Sequence, residues 1–134
     1  MTEKKKIFVV DDEVRFRKLV AITLGNHGYD VREAAGAEEF SAMLRGARPD
    51  AVVLDFMLPN KTGVEICADL KADPRTAAIP VLILSGITQG LSRKDEGFGR
   101  RCLADDFLAK PFKLADLVSR VKALLSVAGE GSPA

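Results

Sequence analysis

The sequence predicts a doubly wound α/β domain, a single domain in which five parallel strands alternate with helices packed on both faces of the sheet. Three observations carry this prediction. Short apolar runs alternate with segments of helical period five times along the 134 residues. The central run, Ala51-Val52-Val53-Leu54, is continuously apolar, as a strand buried on both faces of a parallel sheet requires. Four of the runs also end in residues able to do chemistry: Asp11 and Asp12, Asp55, Ser85 and Lys110.

The first strand, Ile7 to Val10, stops at Asp11-Asp12-Glu13. Phe16, Leu19, Val20 and Leu24 recur at helical spacing behind it, and Asn26-His27-Gly28 ends that helix with a glycine free to take positive φ. Tyr29 to Arg32 reads as a short second strand. Phe40, Met43 and Leu44 mark an amphipathic helix that closes near Gly46, before Pro49. The third strand runs into Asp55; Pro59 soon prevents its continuation, and Asn60-Lys61-Thr62-Gly63 forms a turn.

Gly63, Ile66, Cys67 and Leu70 line the third helix, which ends before Pro74. Ile79 to Leu84 is the fourth strand, with Pro80 acceptable only near its start and Ser85-Gly86 at its end. Leu91, Phe98 and Cys102 suggest a helix over residues 87–102, weakened by Gly90, Gly97 and Gly99. Arg93, Lys94, Arg100 and Arg101 make that segment basic, read first as a solvated surface and second as a dock for an acidic partner. Asp106 to Ala109 is the fifth strand, closed by Lys110-Pro111-Phe112. Leu114, Leu117, Val118, Val121, Leu124 and Leu125 hold the period of the last helix. The domain is expected over residues 1–127, and the small polar residues of 128–134 form a flexible tail.

Bulk properties narrow the function. Lys+Arg 20 against Asp+Glu 19 leaves a formal charge of +1, so charge alone supplies no nucleic-acid affinity. The apolar run after Met1 to Lys6 is far too short for a signal peptide or a membrane span, which argues against membrane insertion. Cys67 and Cys102 make no CxxC pair and no metal cluster with the single His27; they read as reduced thiols of a cytoplasmic protein.

In a parallel sheet the strand ends share one edge, where open α/β sheets bind their ligands. Three carboxylates, a hydroxyl and an ammonium would converge there. Singly, the acids of 11–13 could favour a helix dipole, Ser85 could be a turn residue and Lys110 a solvated charge. Together the acids would repel unless a cation sat among them. Mg²⁺ is the economical choice: a hard cation with oxygen ligands that leaves room for phosphate. Asp55 beside Mg²⁺ and Lys110 can attack phosphorus and become an aspartyl phosphate, with the two cations offsetting the charge in flight. The Ser85 hydroxyl can then donate to a phosphoryl oxygen.

With these residues in view, the sequence resembles the receiver (response-regulator) domains of bacterial two-component signalling, CheY-like, over residues 5 to 127. The resemblance is carried by Val9-Val10-Asp11-Asp12-Glu13, Asp55-Phe56-Met57-Leu58-Pro59, Gly63, Pro80 to Gly86, and Ala104 to Phe112. It implies the flavodoxin-like (βα)5 fold with strand order 2-1-3-4-5. Asp55 would be the phosphoacceptor, Asp12 and Asp55 carboxylate metal ligands, Asp11 a ligand through water, and the Met57 carbonyl a further ligand. Ser85 would be the switch hydroxyl, Lys110 the phosphate partner, Phe107 the switch aromatic, and Lys110-Pro111 a cis peptide.

A sensor histidine kinase or histidine phosphotransfer protein would supply the phosphoryl group, and the switched surface would act on a downstream protein or an effector domain. Three departures from the family pattern stand out: a longer interval from Ser85 to Lys110, Leu103 in place of a glycine, and the glycine-rich stretch between. The resemblance implies a signalling switch that catalyses its own phosphorylation and dephosphorylation rather than an enzyme in the usual sense. Two other functions fit less well. A Mg²⁺-dependent phosphatase with an aspartyl nucleophile wants a second acid two residues on, where Met57 stands. A docking scaffold that is never phosphorylated has no need of the acid, hydroxyl and lysine set.

Overall fold

The computed structural model describes residues 4–86 and 104–130. Its elements are β1 (Lys6–Val10), α1 (Val14–Asn26), β2 (Asp30–Ala34), α2 (Ala37–Gly46), β3 (Ala51–Asp55), α3 (Gly63–Ala72), β4 (Val81–Gly86), β5 (Asp106–Lys110) and α4 (Leu114–Glu130). The strands form one sheet in the order β2-β1-β3-β4-β5, parallel at every pairing. The helix expected over 87–102, with its basic residues, Cys102 and Leu103, lies outside the described residues.

Alternation along the strands sorts the core into two layers. Phe8, Val10, Val52, Leu54, Val81 and Ile83 face α2 and α3, where Phe40, Ile66, Cys67 and Leu70 complete the cluster. Ile7, Val9, Val53, Leu82, Leu84 and Leu108 face α1 and α4, against Val20, Leu24, Leu117, Val118 and Val121. All five residues of β3 are buried, as its unbroken apolar run requires. Cys67 is fully buried in the first layer.

Local chemistry sets the helix ends. The Glu13 carboxylate caps α1 by accepting from the Phe16 amide at 2.6 Å and the Arg15 amide at 3.3 Å. Thr62 and Glu65 form a reciprocal capping box at the start of α3. Gly28, at φ 92°, supplies the left-handed turn into β2.

The structure corrects four readings. The second strand is Asp30–Ala34 rather than Tyr29 to Arg32, because Glu33 and Ala34 pair with Val9 and Val10. The fourth strand begins at Val81, after Pro80, whose carbonyl accepts from the Val52 amide. Leu19 does not belong to the inner stripe of α1; it is 46% exposed. Leu114 opens α4 from an exposed position, so the buried stripe starts at Leu117.

One latch ties the far edge of the sheet together. The Lys71 ammonium donates to the carbonyls of Ile79 (2.8 Å) and Ala77 (3.1 Å) and pairs with Asp105 at 3.2 Å. Asp105 in turn accepts from the Val81 amide at 2.7 Å. Lys71→Met would strip two carbonyls and a carboxylate of their shared donor. It is expected to cost about 1–3 kcal/mol in urea unfolding, and an unchanged midpoint would refute the latch.

Candidate phosphoacceptor site

Asp11, Asp12, Asp55, Met57, Ser85 and Lys110 sit at the carboxyl edge of the sheet or in the loops leaving it, whereas Phe107 lies near the start of β5. By strand parity Asp11, Asp55 and Lys110 follow Val9, Val53 and Leu108 onto the α1/α4 side, whereas Ser85 and Phe107 follow Ile83 onto the other. A group attached to Asp55 at the rim would therefore stand between the two layers.

The acids converge. Asp11, Asp12 and Asp55 each offer a carboxylate oxygen within 4.8 Å of the others. Asp55 and Asp11 are buried, at 7% and 3% exposure, and Asp12 is exposed. The loop that carries Asp11 is held from several directions. Its amide donates to the Ala34 carbonyl at 3.1 Å, its Oδ1 accepts from the Glu13 amide at 2.9 Å, and its carbonyl accepts from the Arg17 guanidinium at 2.9 Å. Arg17 is itself braced by Glu33 at 3.0 Å.

Asp11 Oδ2 is buried with no hydrogen-bond partner among the described residues. Burial raises the Asp11 carboxyl most; the Glu13 amide pulls it down, Asp55 pushes it up, Lys110 opposes and Asp12 adds a little. The net result is about 6, against 3.8 for an ordinary aspartate. An orphaned buried oxygen among three carboxylates fits a small oxygen-seeking divalent cation of the Mg²⁺ type.

Lys110 supplies the fixed cation, its Nζ lying 2.8 Å from Asp55 Oδ1. Lys110-Pro111 is cis, as the resemblance implied. The same Nζ lies 4.2 Å from the centre of the Phe16 ring, and that ring meets Phe112 edge-on at 5.8 Å. Sequence reading had placed Phe16 only in the core stripe of α1.

The other candidates are placed by register. Ser85 is buried one residue beyond Leu84, the β4 partner of Asp55, and faces Ala109 on β5. Phe107 is half-buried opposite Ile83 and packs on the α2/α3 layer. Met57 is exposed in the loop after β3, where it makes an isolated bridge with Thr62. No hydrogen bond joins the Met57 or Ser85 side chain to Asp11, Asp12 or Asp55 among the described residues.

Sequence reading missed a second feature besides Phe16. A Cβ on Gly63 would lie 2.8 Å from the Asp55 carbonyl oxygen and 3.1 Å from the Phe56 Cα, so α3 is packed directly against the backbone that carries Asp55. Its place in the family resemblance and in the turn after Pro59 singles Gly63 out in the sequence, but a turn explains both without any close approach to β3.

The chain matches the response regulator receiver domain family over residues 7–122. It is 40% identical over 120 residues to the DNA-binding dual master transcriptional regulator RpaA of Synechocystis, covering 90% of this chain and 48% of the relative. It is 35% identical over 127 residues to the phosphate regulon transcriptional regulatory protein PhoB of Pseudomonas aeruginosa, covering 95% and 54%. The chain thus spans about half the length of these curated relatives. Among solved structures, the signal receiver domain of a histidine kinase from Syntrophus aciditrophicus superposes with a TM-score of 0.82 at 31% identity, covering 91% of this chain and 90% of that one.

Proposed function

The chain belongs to the response regulator receiver domain family, and from that premise we propose that it is a phosphorylation-controlled switch in which Asp55 accepts a phosphoryl group from a phosphohistidine. The observation that carries the proposal is the 2.8 Å contact of Lys110 with Asp55 beside three carboxylates clustered within 4.8 Å. An isolated structural ion pair would not need Asp11 and Asp12 crowded around it.

In the proposed step an Asp55 carboxylate oxygen attacks phosphorus in line. The phosphorus–nitrogen bond breaks, and its electron pair leaves with the donor imidazole, which takes up a proton. Asp11, Asp12 and Asp55, with the Met57 carbonyl, would hold Mg²⁺, which when bound offsets charge on the phosphoryl oxygens and lessens repulsion between acceptor and donor. Lys110 already donates to Asp55 Oδ1 and would pass that hydrogen bond to an arriving phosphoryl oxygen. Hydrolysis of the aspartyl phosphate would reset the switch.

Ser85 would donate its hydroxyl to the phosphoryl group, drawing β4 inward, and Phe107, on the same side of the sheet, would report the movement to the α2/α3 layer. A histidine kinase or histidine phosphotransfer protein would be the donor, and a downstream protein or an effector half would read the switched surface. The DNA binding named for the RpaA relative would belong to such a half, since this domain is nearly neutral. No helix among the described residues is long and apolar enough to cross a membrane.

Incubation with acetyl phosphate and Mg²⁺, read by intact mass, is expected to add one phosphoryl group, and Asp55→Ala to abolish it. Failure of the native chain to gain that mass would favour a docking scaffold over a switch.

A further inference from the structure

We propose that Phe16 is a positioning residue for the acceptor site, its ring face steering the Lys110 ammonium onto Asp55; the idea rests on the reading of Asp55 as phosphoacceptor. A lysine ammonium on a four-carbon stem has three rotatable donors and much freedom. The Lys110 side chain is 30% exposed, so burial alone does not hold its head in one place. Among the described residues two contacts do: Asp55 Oδ1 at 2.8 Å and the Phe16 ring centre at 4.2 Å. The second is well inside the range in which a ring quadrupole attracts a cation.

The ring is itself fixed. Phe112 meets it at an interplanar angle of 72°, and the Phe16 amide donates to Glu13, the cap of α1. The Glu13 amide in turn donates to Asp11 Oδ1. A continuous run of contacts therefore links the acid that would face the metal, through the first turn of α1, to the lysine that would face the phosphoryl group. The ring also screens one side of the ammonium from water, which strengthens its pairing with whichever anion stands opposite. Leucine would keep most of the packing and lose the quadrupole, and tyrosine would keep both.

The test uses the full chain with Phe16→Leu and Phe16→Tyr. The Lys110 ε-methylene resonance is expected to show a ring-current shift in the native chain, retained in Phe16→Tyr and lost in Phe16→Leu. The initial rate of phosphorylation by acetyl phosphate at saturating Mg²⁺ is expected to fall about two- to fivefold in Phe16→Leu and to recover in Phe16→Tyr. Mg²⁺ affinity should stay within about twofold throughout, since the cation–π and ring–ring contacts of Phe16 are to Lys110 and Phe112 and not to the three acids. A Tyr variant as slow as the Leu variant, or an ε-methylene shift indifferent to the aromatic ring, would overturn the proposal. A native chain that takes no phosphoryl group but shows the ring-dependent shift would sink the acceptor reading and leave the placement of Lys110 by Phe16 intact.

Discussion

Gly63→Ala is expected to lower the unfolding free energy by about 1–3 kcal/mol and to slow phosphoryl uptake at Asp55 by about three- to tenfold. The added methyl would sit 2.8 Å from the Asp55 carbonyl oxygen and 3.1 Å from the Phe56 Cα. Both obstacles are backbone, so no side chain can rotate away. The start of α3 has little freedom to retreat, because the Gly63 amide donates to the Phe56 carbonyl at 2.7 Å and Thr62 and Glu65 cap the helix. The strain would therefore fall on the end of β3.

A shift of a few tenths of an ångström there moves the carboxylate relative to both Lys110 and Asp11. Positioning errors approaching 1 Å are enough to cost about two orders of magnitude in a reaction that depends on alignment. Gly25→Ala is the matched control. That glycine is exposed in α1 with nothing within 4 Å of its would-be Cβ. The same substitution there should be neutral or stabilise by up to about 1 kcal/mol, through helix propensity. Urea midpoints and acetyl phosphate kinetics on both variants check the pair. Native-like stability and uptake in Gly63→Ala would show that α3 can slide without moving Asp55.

The contrast between these two glycines shows what could be read in the sequence. Patterns that repeat were legible: the unbroken apolar run of β3, the period of α4, and the polar residues closing four of the five strands all point to one parallel sheet with its chemistry on one edge. Asp11, Asp55 and Lys110 share a face because each stands two residues beyond an inward apolar residue of its strand, and that parity is already in the sequence. What depends on a single close approach was not legible. Gly25 and Gly63 look alike as letters, and only the packing of α3 on β3 separates them.

Phe16 fits an amphipathic stripe whether or not an ammonium lies against it. Leu19 satisfies the same helical period yet is exposed, because Phe16, Val20 and Leu24 already cover the sheet from α1. The shift of β2 toward Ala34 has a comparable origin. Its edge position leaves it mostly half-buried, with no apolar run to mark its ends, so the pairing with β1 sets the boundary.

Asp11→Asn is expected to raise the metal-free stability near pH 7.5 by about 2–3 kcal/mol and to remove most of the Mg²⁺ response. The native Asp11 carboxyl holds its proton up to about pH 6, whereas in the unfolded chain it lets go near 3.8. Between those values the folded state binds more protons than the unfolded state, so stability falls as pH rises. The contribution is complete below 3.8 and lost once pH has passed through about 6. Above that point the folded protein must keep a buried charge, 3% exposed, beside Asp55 and Asp12 with one oxygen unpartnered among the described residues.

Asparagine carries no charge to desolvate, and its amide can donate toward the neighbouring acids. The variant's melting temperature in EDTA should therefore exceed the native one above pH 6 and lose the decline between pH 4 and 6. The sign reverses when Mg²⁺ is present. A cation must displace the Asp11 proton, so native affinity should weaken by up to about tenfold per pH unit below 6 and level off above it. Mg²⁺ should also raise the native melting temperature at pH 7.5 by mass action while leaving the asparagine variant nearly unmoved. Calorimetric Mg²⁺ titrations at pH 5, 6 and 7.5, paired with melting curves in EDTA, separate the two effects. A metal-free asparagine variant that melts below the native chain at pH 7.5 would mean that the Asp11 charge is already compensated within the protein, and the case for a cation among these three acids would lose its physical ground.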